Sequence, residues 1–164
     1  MNALVEKKIG KILELLNIEY SAVECDSKLS DTKVFCDHYG YSMDNSANVI
    51  IVASKKGEEK YAACVALANT RLDVNKAVRK KLQVSRISFA TPEKTLELTG
   101  MELGGVTPFG MPDNVPVWID SQVMDCETII LGGGNRCSKL IMSPDMLMKI
   151  PNVEVVDNLA TLNK

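Results

Sequence analysis

The single histidine and the five cysteines are the side chains of this sequence that most often act as bases or nucleophiles. His38 suits a general base because imidazole titrates near neutral pH, and it follows Cys36 by two positions. On the helix predicted there, this spacing places the two side chains on different faces, so a Cys–His pair is not expected. The sequence also contains no Gly-x-Ser-x-Gly motif. We therefore expect His38 on a helix surface and no protein nucleophile.

Two glycine-rich segments are the other candidates for a functional site. Residues 103–110 contain three glycines, a proline and a threonine, and residues 132–136 read Gly-Gly-Gly-Asn-Arg. Closely spaced glycines let backbone N–H groups approach an anion. The second segment matches neither of the usual phosphate-loop patterns, so a tight turn between strands explains it well. A long turn explains the first segment equally well when that segment is taken alone.

Length and charge limit the class of protein. The chain has 164 residues, 46% hydrophobic and 24% charged, which predicts one globular domain and excludes disorder. Nineteen Lys and Arg against 21 Asp and Glu leave a formal charge of −2. We therefore expect no basic field that could hold a long stretch of nucleic acid, and any such contact must be local.

Cysteine spacing and hydropathy indicate the compartment. The five cysteines include no Cys-x-x-Cys pair, so neither a disulfide framework nor a zinc ribbon is expected. The N-terminus mixes Glu and Lys among its apolar residues, and no segment approaches the ~20 apolar residues of a membrane span. These features predict a cytoplasmic protein without a metal site.

Hydrophobic periodicity predicts alternating helices and strands. Capping residues and helical spacing predict helices over residues 3–16 and after Ser30, Asp73, Thr91 and Ser143. β-Branched residues, turn residues and, over residues 115–119, an alternating pattern predict strands. The predicted strands cover residues 20–24, 48–54, 61–68, 86–89, 115–119, 127–131, 138–142 and 153–156. Because short turns join several strands, we expect an α/β fold with a mixed, mostly antiparallel sheet.

Several of these segments together resemble, in order and spacing, the YbaK/prolyl-tRNA-synthetase-associated editing domain family. The resemblance covers roughly residues 20–150 and is far more specific than either glycine segment alone. It rests on Arg71-Leu72-Asp73, Thr99-Gly100, Gly104-Gly105-Val106-Thr107-Pro108-Phe109-Gly110, Val117-Trp118-Ile119-Asp120, Gly132-Gly133-Gly134-Asn135-Arg136 and Ser143-Pro144-Asp145.

The resemblance implies a single domain over residues 1–164, with a sheet curled into a barrel-like layer surrounded by helices. It implies an enzyme that acts in trans and hydrolyses the ester between a wrong amino acid and the 3′ end of a tRNA, without a cofactor. An aminoacyl ester is already activated, and the neighbouring ribose hydroxyl can help to place water. The protein then needs mainly to position the ester and to hydrogen-bond the developing oxyanion.

The same resemblance assigns roles to individual residues. The implied catalytic residues are Asn48, Lys139, Gly105 and Thr107. The implied substrate-binding residues are Gly104, Val106, Pro108, Phe109 and Gly110 around the aminoacyl group, with Gly132, Gly133, Gly134 and Arg136 around the terminal adenosine.

Two positions depart from the family pattern. Active members typically carry a lysine at the start of the strand where this chain has Asn48, and often an acidic residue where it has Lys139. Asparagine can donate a hydrogen bond but carries no ammonium charge. One hypothesis is that the two positions have exchanged roles, so that Lys139 supplies the cation.

Other functions stay open at this level. Without the usual lysine, the domain is also interpretable as a non-catalytic module that binds an aminoacyl-tRNA end or an aminoacyl-tRNA synthetase. Hydrolysis of a small ester or an aminoacyl adenylate is a third interpretation. A stripe of basic residues suits an acceptor-stem contact, although an ordinary solvated helix face explains it as well. This stripe comprises Arg71, Lys76, Arg79, Lys80 and Arg86.

Overall fold

A computed structural model describes residues 3–163 of the chain. Its five α-helices are α1 (Lys7–Leu15), α2 (Thr32–Tyr39), α3 (Arg79–Leu82), α4 (Pro92–Thr99) and α5 (Ser121–Met124). Two 3₁₀ helices span Ser27–Leu29 and Pro144–Lys149, and a π-helical turn, Val74–Val78, leads directly into α3. No helix of the described residues is long and apolar enough to cross a membrane.

Within residues 3–163, ten strands make three sheets. They are β1 (Ser21–Glu24), β2 (Ala47–Ser54), β3 (Tyr61–Leu67), β4 (Thr70–Leu72), β5 (Ile87–Phe89), β6 (Val117–Asp120), β7 (Ile129–Gly132), β8 (Ser138–Met142), β9 (Val153–Val156) and β10 (Ala160–Leu162). The largest sheet has the order β5-β2-β3-β6-β9, the second β1-β8-β7, and β10 pairs with β4. Only β3–β6 and β6–β9 are parallel among the described pairs, which confirms a mixed, mostly antiparallel arrangement.

The expected barrel-like curl is not supported. The strands of the described residues form three separate sheets, and none of them closes or curls. A bridge between Ser46, directly before β2, and Ile130 of β7 connects the two larger sheets.

Three apolar clusters hold the layers together. The main core lies between α1 and one face of the sheets, and includes Leu13, Phe109 and Ile119, all fully buried. The opposite face of the five-stranded sheet packs against the π turn and α3 through Cys64 and Val78. A third cluster, formed by Phe35 and its neighbours, packs α2 against the three-stranded sheet.

The helix ends follow the predicted capping in part. Gly40 and Gly100 end α2 and α4 in left-handed conformations, and the Thr91 side chain caps α4, as expected. Asp73 stands at the start of the basic helix but makes no capping hydrogen bond, and a π turn precedes α3 instead. Ser30 does not cap α2 either, because Asp31 occupies that position.

Candidate active site

A cavity of about 230 Å³ lies where the start of β2 approaches the end of β7, beside the bridge between Ser46 and Ile130. Its wall is formed by the first turn of α2, the start of β2, the end of β7, the 103–106 loop and one residue of β8. The predicted site residues that line it are Asn48, Gly104, Val106, Gly132 and Lys139. Segments far apart in the sequence thus converge on one small space.

Lys139 reaches the cavity from β8 and is only 5% exposed. Its Nζ donates hydrogen bonds to the carbonyl oxygens of Ser30, at 2.6 Å, and Gly104, at 2.9 Å. The ammonium also lies 5.4 Å from the centre of the Phe35 ring. Burial lowers the pKa of Lys139 from its ordinary value, and the charge of Arg136 acts in the same direction. Two of the three N–H donors are engaged by carbonyls, which leaves one for a ligand.

Asn48 enters the cavity from the start of β2. Its Oδ1 accepts a hydrogen bond from the Thr32 hydroxyl, in the first turn of α2. Within the described residues, the amide N–H groups of its side chain have no acceptor, and Asn48 is half-buried in the cavity wall. The side chain is therefore held by Thr32 with its donors available to a ligand.

The two glycine-rich segments pack against each other beside the cavity. Gly134 N donates to Gly105 O at 2.8 Å. A Cβ atom on Gly105 would lie 2.4 Å from the Asn135 carbonyl oxygen, and one on Gly132 would lie 2.5 Å from the Val106 carbonyl oxygen. Both distances are far too short for a real side chain, so this close backbone approach requires glycine.

The remainder of the first glycine segment lies outside the cavity wall. Thr107, Pro108 and Phe109 are buried, and the Thr107 hydroxyl has no hydrogen-bond partner among the described residues. Phe109 and Gly110 line a separate apolar cavity of about 420 Å³ beside α1. Contact of these four residues with a substrate remains a prediction.

Arg136 lies outside the cavity wall, and its side chain contacts segments beside that wall. Its guanidinium donates to the carbonyl oxygens of Ser27, at 3.0 Å, and of Leu103, and it lies 3.4 Å from the Asp31 carboxylate. These contacts tie the glycine turn to the segment before α2 and to the 103–106 loop. Gly133 belongs to the same turn and donates to Ser138 O at 3.2 Å. The geometry suggests that Arg136 positions the wall, whereas contact with adenosine stays a prediction.

The residues of the basic stripe are exposed on the opposite side of the five-stranded sheet from the main core. The Arg79 guanidinium donates to Asn75 O at 2.8 Å, which holds the side chain along the helix. Ile50 both lines the cavity and packs against the apolar cluster under α3. Cavity and basic stripe are therefore linked through β2.

His38 and most of the cysteines lie away from the cavity wall. His38 is exposed on α2 and meets the Tyr39 ring edge-on, as expected for a helix-surface histidine. Burial raises the pKa of the Cys64 thiol to about 12, so this thiol is not poised as a nucleophile. Among the described residues, no group of three metal-ligating side chains comes together.

The residues that sequence reasoning missed include Asp31, Thr32 and Phe35 of the cavity wall. They also include Ser30, which lies outside the wall but accepts a hydrogen bond from Lys139. Ser30 is fully buried, and its hydroxyl donates to Gly104 O at 2.5 Å, beside the Lys139 ammonium. The capping pattern located the start of α2 but did not show that this start faces the 103–106 loop. A serine followed by an aspartate and a threonine was the only local signal.

The lowered pKa of Lys139 predicts a specific pH dependence of stability. Between that lowered value and the ordinary value of 10.5, the unfolded chain binds more protons at this position, so stability rises with pH. We expect the free energy of unfolding of the wild type to rise relative to that of Lys139→Met as pH increases towards 10.5. Urea unfolding of both proteins across this range measures the difference. A constant difference would contradict the burial of a charged Lys139.

Known proteins share both sequence features and this fold. The model of the aminoacyl-tRNA editing domain family matches residues 26–150. The uncharacterized protein YwhH of Bacillus subtilis (strain 168) is 26% identical over 132 residues, which cover 80% of this chain and 81% of the relative.

Two solved structures have closely similar folds. The hypothetical protein APE2540 superposes with a TM-score of 0.82 at 20% identity, covering 94% of this chain and 100% of that protein. A proposed trans-editing enzyme for prolyl-tRNA synthetase superposes with a TM-score of 0.76 at 21% identity, covering 92% and 94% of the two chains. The family match spans most of the chain and includes every residue of the cavity wall, which confirms the resemblance found in the sequence. The chain belongs to the aminoacyl-tRNA editing domain family.

Proposed function

We propose that this protein hydrolyses the ester bond between an amino acid and the 3′ end of a tRNA, as an editing deacylase acting in trans. The observation that carries the proposal is the single cavity in which Asn48 and Lys139 meet the two glycine segments. Family membership supports a role in tRNA editing. The structural similarity to a proposed trans-editing enzyme shows that this chain has the same fold as that protein.

The cavity is suited to a small aminoacyl group. Its volume of about 230 Å³ is below the roughly 300–1,000 Å³ of pockets that hold drug-sized ligands. The wall includes the apolar residues Ala47, Val106 and Leu131. We therefore expect the cavity to take a small side chain beside the ester and to discriminate against a large aromatic one.

Lys139 is positioned to stabilise the reacting carbonyl. Water attacks the ester carbon, the carbonyl oxygen gains negative charge, and the bond to the ribose oxygen breaks as that oxygen takes a proton. The remaining N–H of the Lys139 ammonium can donate to the developing oxyanion, and the Asn48 amide can hold the ester or the water. A dry, pre-organised cation strengthens this interaction, because little water competes for it.

The Asp31 carboxylate complements the positive charge of the substrate's α-ammonium group. Among the described residues that line the cavity, it carries the one carboxylate, and Lys139 carries the one ammonium. An aminoacyl ester presents an α-ammonium group next to its carbonyl, so this pair of charges matches the substrate. Asp31 is exposed at the wall, where the carboxylate can receive the ammonium.

Deacylation of a panel of charged tRNAs tests the proposal. The panel includes correctly charged and mischarged tRNAs with small and large amino acids, and release of labelled amino acid is followed over time. We expect at least one ester with a small side chain to be hydrolysed faster than its spontaneous rate, and esters of large aromatic amino acids to be unaffected. No acceleration for any ester would contradict the deacylase.

The exposed basic stripe supports a second candidate, a module that binds the aminoacyl-tRNA end, alone or with a synthetase, without catalysis. Retained tRNA binding without accelerated deacylation of any ester in the panel would favour this second candidate. The replacement of the usual family lysine by Asn48 is the sequence feature that motivates this alternative.

Both candidates predict a local tRNA contact through the basic stripe. If only the acceptor end is held, affinity falls with salt at a slope that corresponds to about two to four phosphates. We expect Arg79→Ala combined with Lys80→Ala to weaken binding at low salt and to leave the melting temperature nearly unchanged, because exposed charges contribute little to stability. Titration of labelled tRNA at several salt concentrations measures both effects. Unchanged binding would show that the stripe is an ordinary solvated face.

A further inference from the structure

Cys25 and Cys137 oppose each other at the end of the β1–β8 pairing. The register pairs Glu24 with Ser138, so the next opposing residues are Cys25 and Cys137. Cys25 N donates to Cys137 O at 2.9 Å. Directly opposing residues on antiparallel strands have Cα atoms about 4.5–5.5 Å apart. That separation lies within the range of about 4.4–6.8 Å that a disulfide requires.

The two thiols differ in access, which sets the order of their reactions. Cys137 is exposed in the glycine turn, whereas Cys25 is 4% exposed. The Cys25 Sγ points towards that turn, because it donates to Arg136 O at 3.3 Å. Burial raises the pKa of the Cys25 thiol, so Cys137 is the thiol that a dissolved oxidant meets first.

We propose that Cys25 and Cys137 are a redox-sensitive pair that hydrogen peroxide oxidises to a reversible intramolecular disulfide. The Cys137 sulfur attacks the peroxide, the O–O bond breaks, and a sulfenic acid and one water form. The Cys25 sulfur then attacks the sulfenic sulfur and displaces its oxygen as a second water. Two electrons pass from the two thiols to the peroxide, and both thiol protons leave in water.

The location of the pair connects this chemistry to the cavity. Lys139 follows Cys137 by two positions on β8, and the Cys25 thiol interacts electrostatically with the Lys139 ammonium. A disulfide would fasten the end of β1 to the turn that carries Arg136, whose side chain frames the cavity. The disulfide would therefore form two residues from Lys139, directly before the start of the same strand.

Thiol counting and peptide mapping after hydrogen peroxide treatment test the pair. We expect free thiols to fall from five to three, the intact mass to fall by two hydrogen atoms, and a linked peptide to contain both residues. Dithiothreitol should restore all five thiols. Cys126→Ser, a change at a half-buried cysteine outside this pairing, should form the same link and serves as the control.

Single variants separate the pair from a lone reactive cysteine. Cys137→Ser should form no link, and Cys25→Ser should leave Cys137 as a sulfenic acid or a dimer between chains. Circular dichroism checks that each variant is folded. Persistence of all five wild-type thiols, oxidation of Cys137 alone, or a link between other cysteines would each overturn the proposal. None of these results depends on deacylation, so failure of the proposed function would leave the outcome unchanged.

Discussion

Lys139→Met is expected to reduce deacylation about 100-fold or more, the size of effect seen when an oxyanion donor is removed. Methionine keeps an unbranched apolar side chain, one heavy atom shorter than lysine, but removes the ammonium that faces the cavity. Single-turnover release of labelled amino acid from the best substrate of the panel measures the loss. The rate should fall in the chemical step, while tRNA affinity changes little.

Lys149→Met is the matched control for this change. Lys149 is an exposed lysine whose Nζ also donates to a backbone carbonyl, that of Asn17 at 2.8 Å, but it lies outside the cavity wall. Its replacement should leave deacylation unchanged. The melting temperature of Lys139→Met must also be measured, since Ser30 O and Gly104 O lose a donor while the cost of burying a charge disappears. An active Lys139→Met would show that another group stabilises the oxyanion.

Gly105→Ala is expected to reduce both stability and activity. The new Cβ would meet the Asn135 carbonyl oxygen at 2.4 Å, and this backbone atom cannot rotate away as a side chain can. Overpacking costs about 1–3 kcal/mol and commonly shifts the backbone. For a chain of this size, a loss of about 2 kcal/mol lowers the melting temperature by roughly 4–8 °C. Displacement of the 103–106 loop also moves Gly104 O, an acceptor of the Lys139 ammonium.

Gly57→Ala separates the loss of stability from the loss of activity. Gly57 has a positive φ in the exposed β2–β3 turn, with no atom within 4 Å of its added Cβ. The change should cost about 1 kcal/mol through backbone strain and leave the deacylation rate of the folded protein intact. Thermal unfolding and single-turnover rates, measured below the melting temperature of each variant, provide the comparison. A fully active Gly105→Ala would show that contact between the two glycine segments does not shape the site.

The strands whose bounds the sequence predicted most accurately have turn residues at both ends. β8 and β9 match the predicted residues 138–142 and 153–156, because each is flanked by turn residues. The short elements β4, β10 and α5 were missed. Their three or four residues include a single β-branched residue each, whereas the equally short β9 contains three valines.

Strand pairing was harder to predict than strand position. The continuous apolar run of β3 indicates a buried strand, but it does not show that β3 pairs with β6 in parallel. The separation of β2 from β7 beyond one bridge is likewise a tertiary property. These long-range contacts decide that the sheets stay open.

The glycine segments could be identified because their backbones must approach closely, and this approach requires glycine in the sequence. The partners of Lys139 could not be predicted in this way. They are the backbone carbonyls of Ser30 and Gly104, and every residue type has a backbone carbonyl. Thr32 and Phe35 reach the cavity only because α2 packs on the three-stranded sheet. The resemblance to the editing family located Asn48 and Lys139, and the fold placed both on one wall.

The central claim is that Asn48 and Lys139 act on the same aminoacyl ester in one cavity. A double-mutant cycle with Asn48→Ala, Lys139→Met and the combined variant tests it most directly, with single-turnover deacylation of one mischarged tRNA as the readout. We predict non-additive losses, with the combined variant only slightly slower than Lys139→Met, because Asn48 can hold the ester productively only when the ammonium is present. Losses that simply multiply, or full activity in every variant, would contradict a shared site.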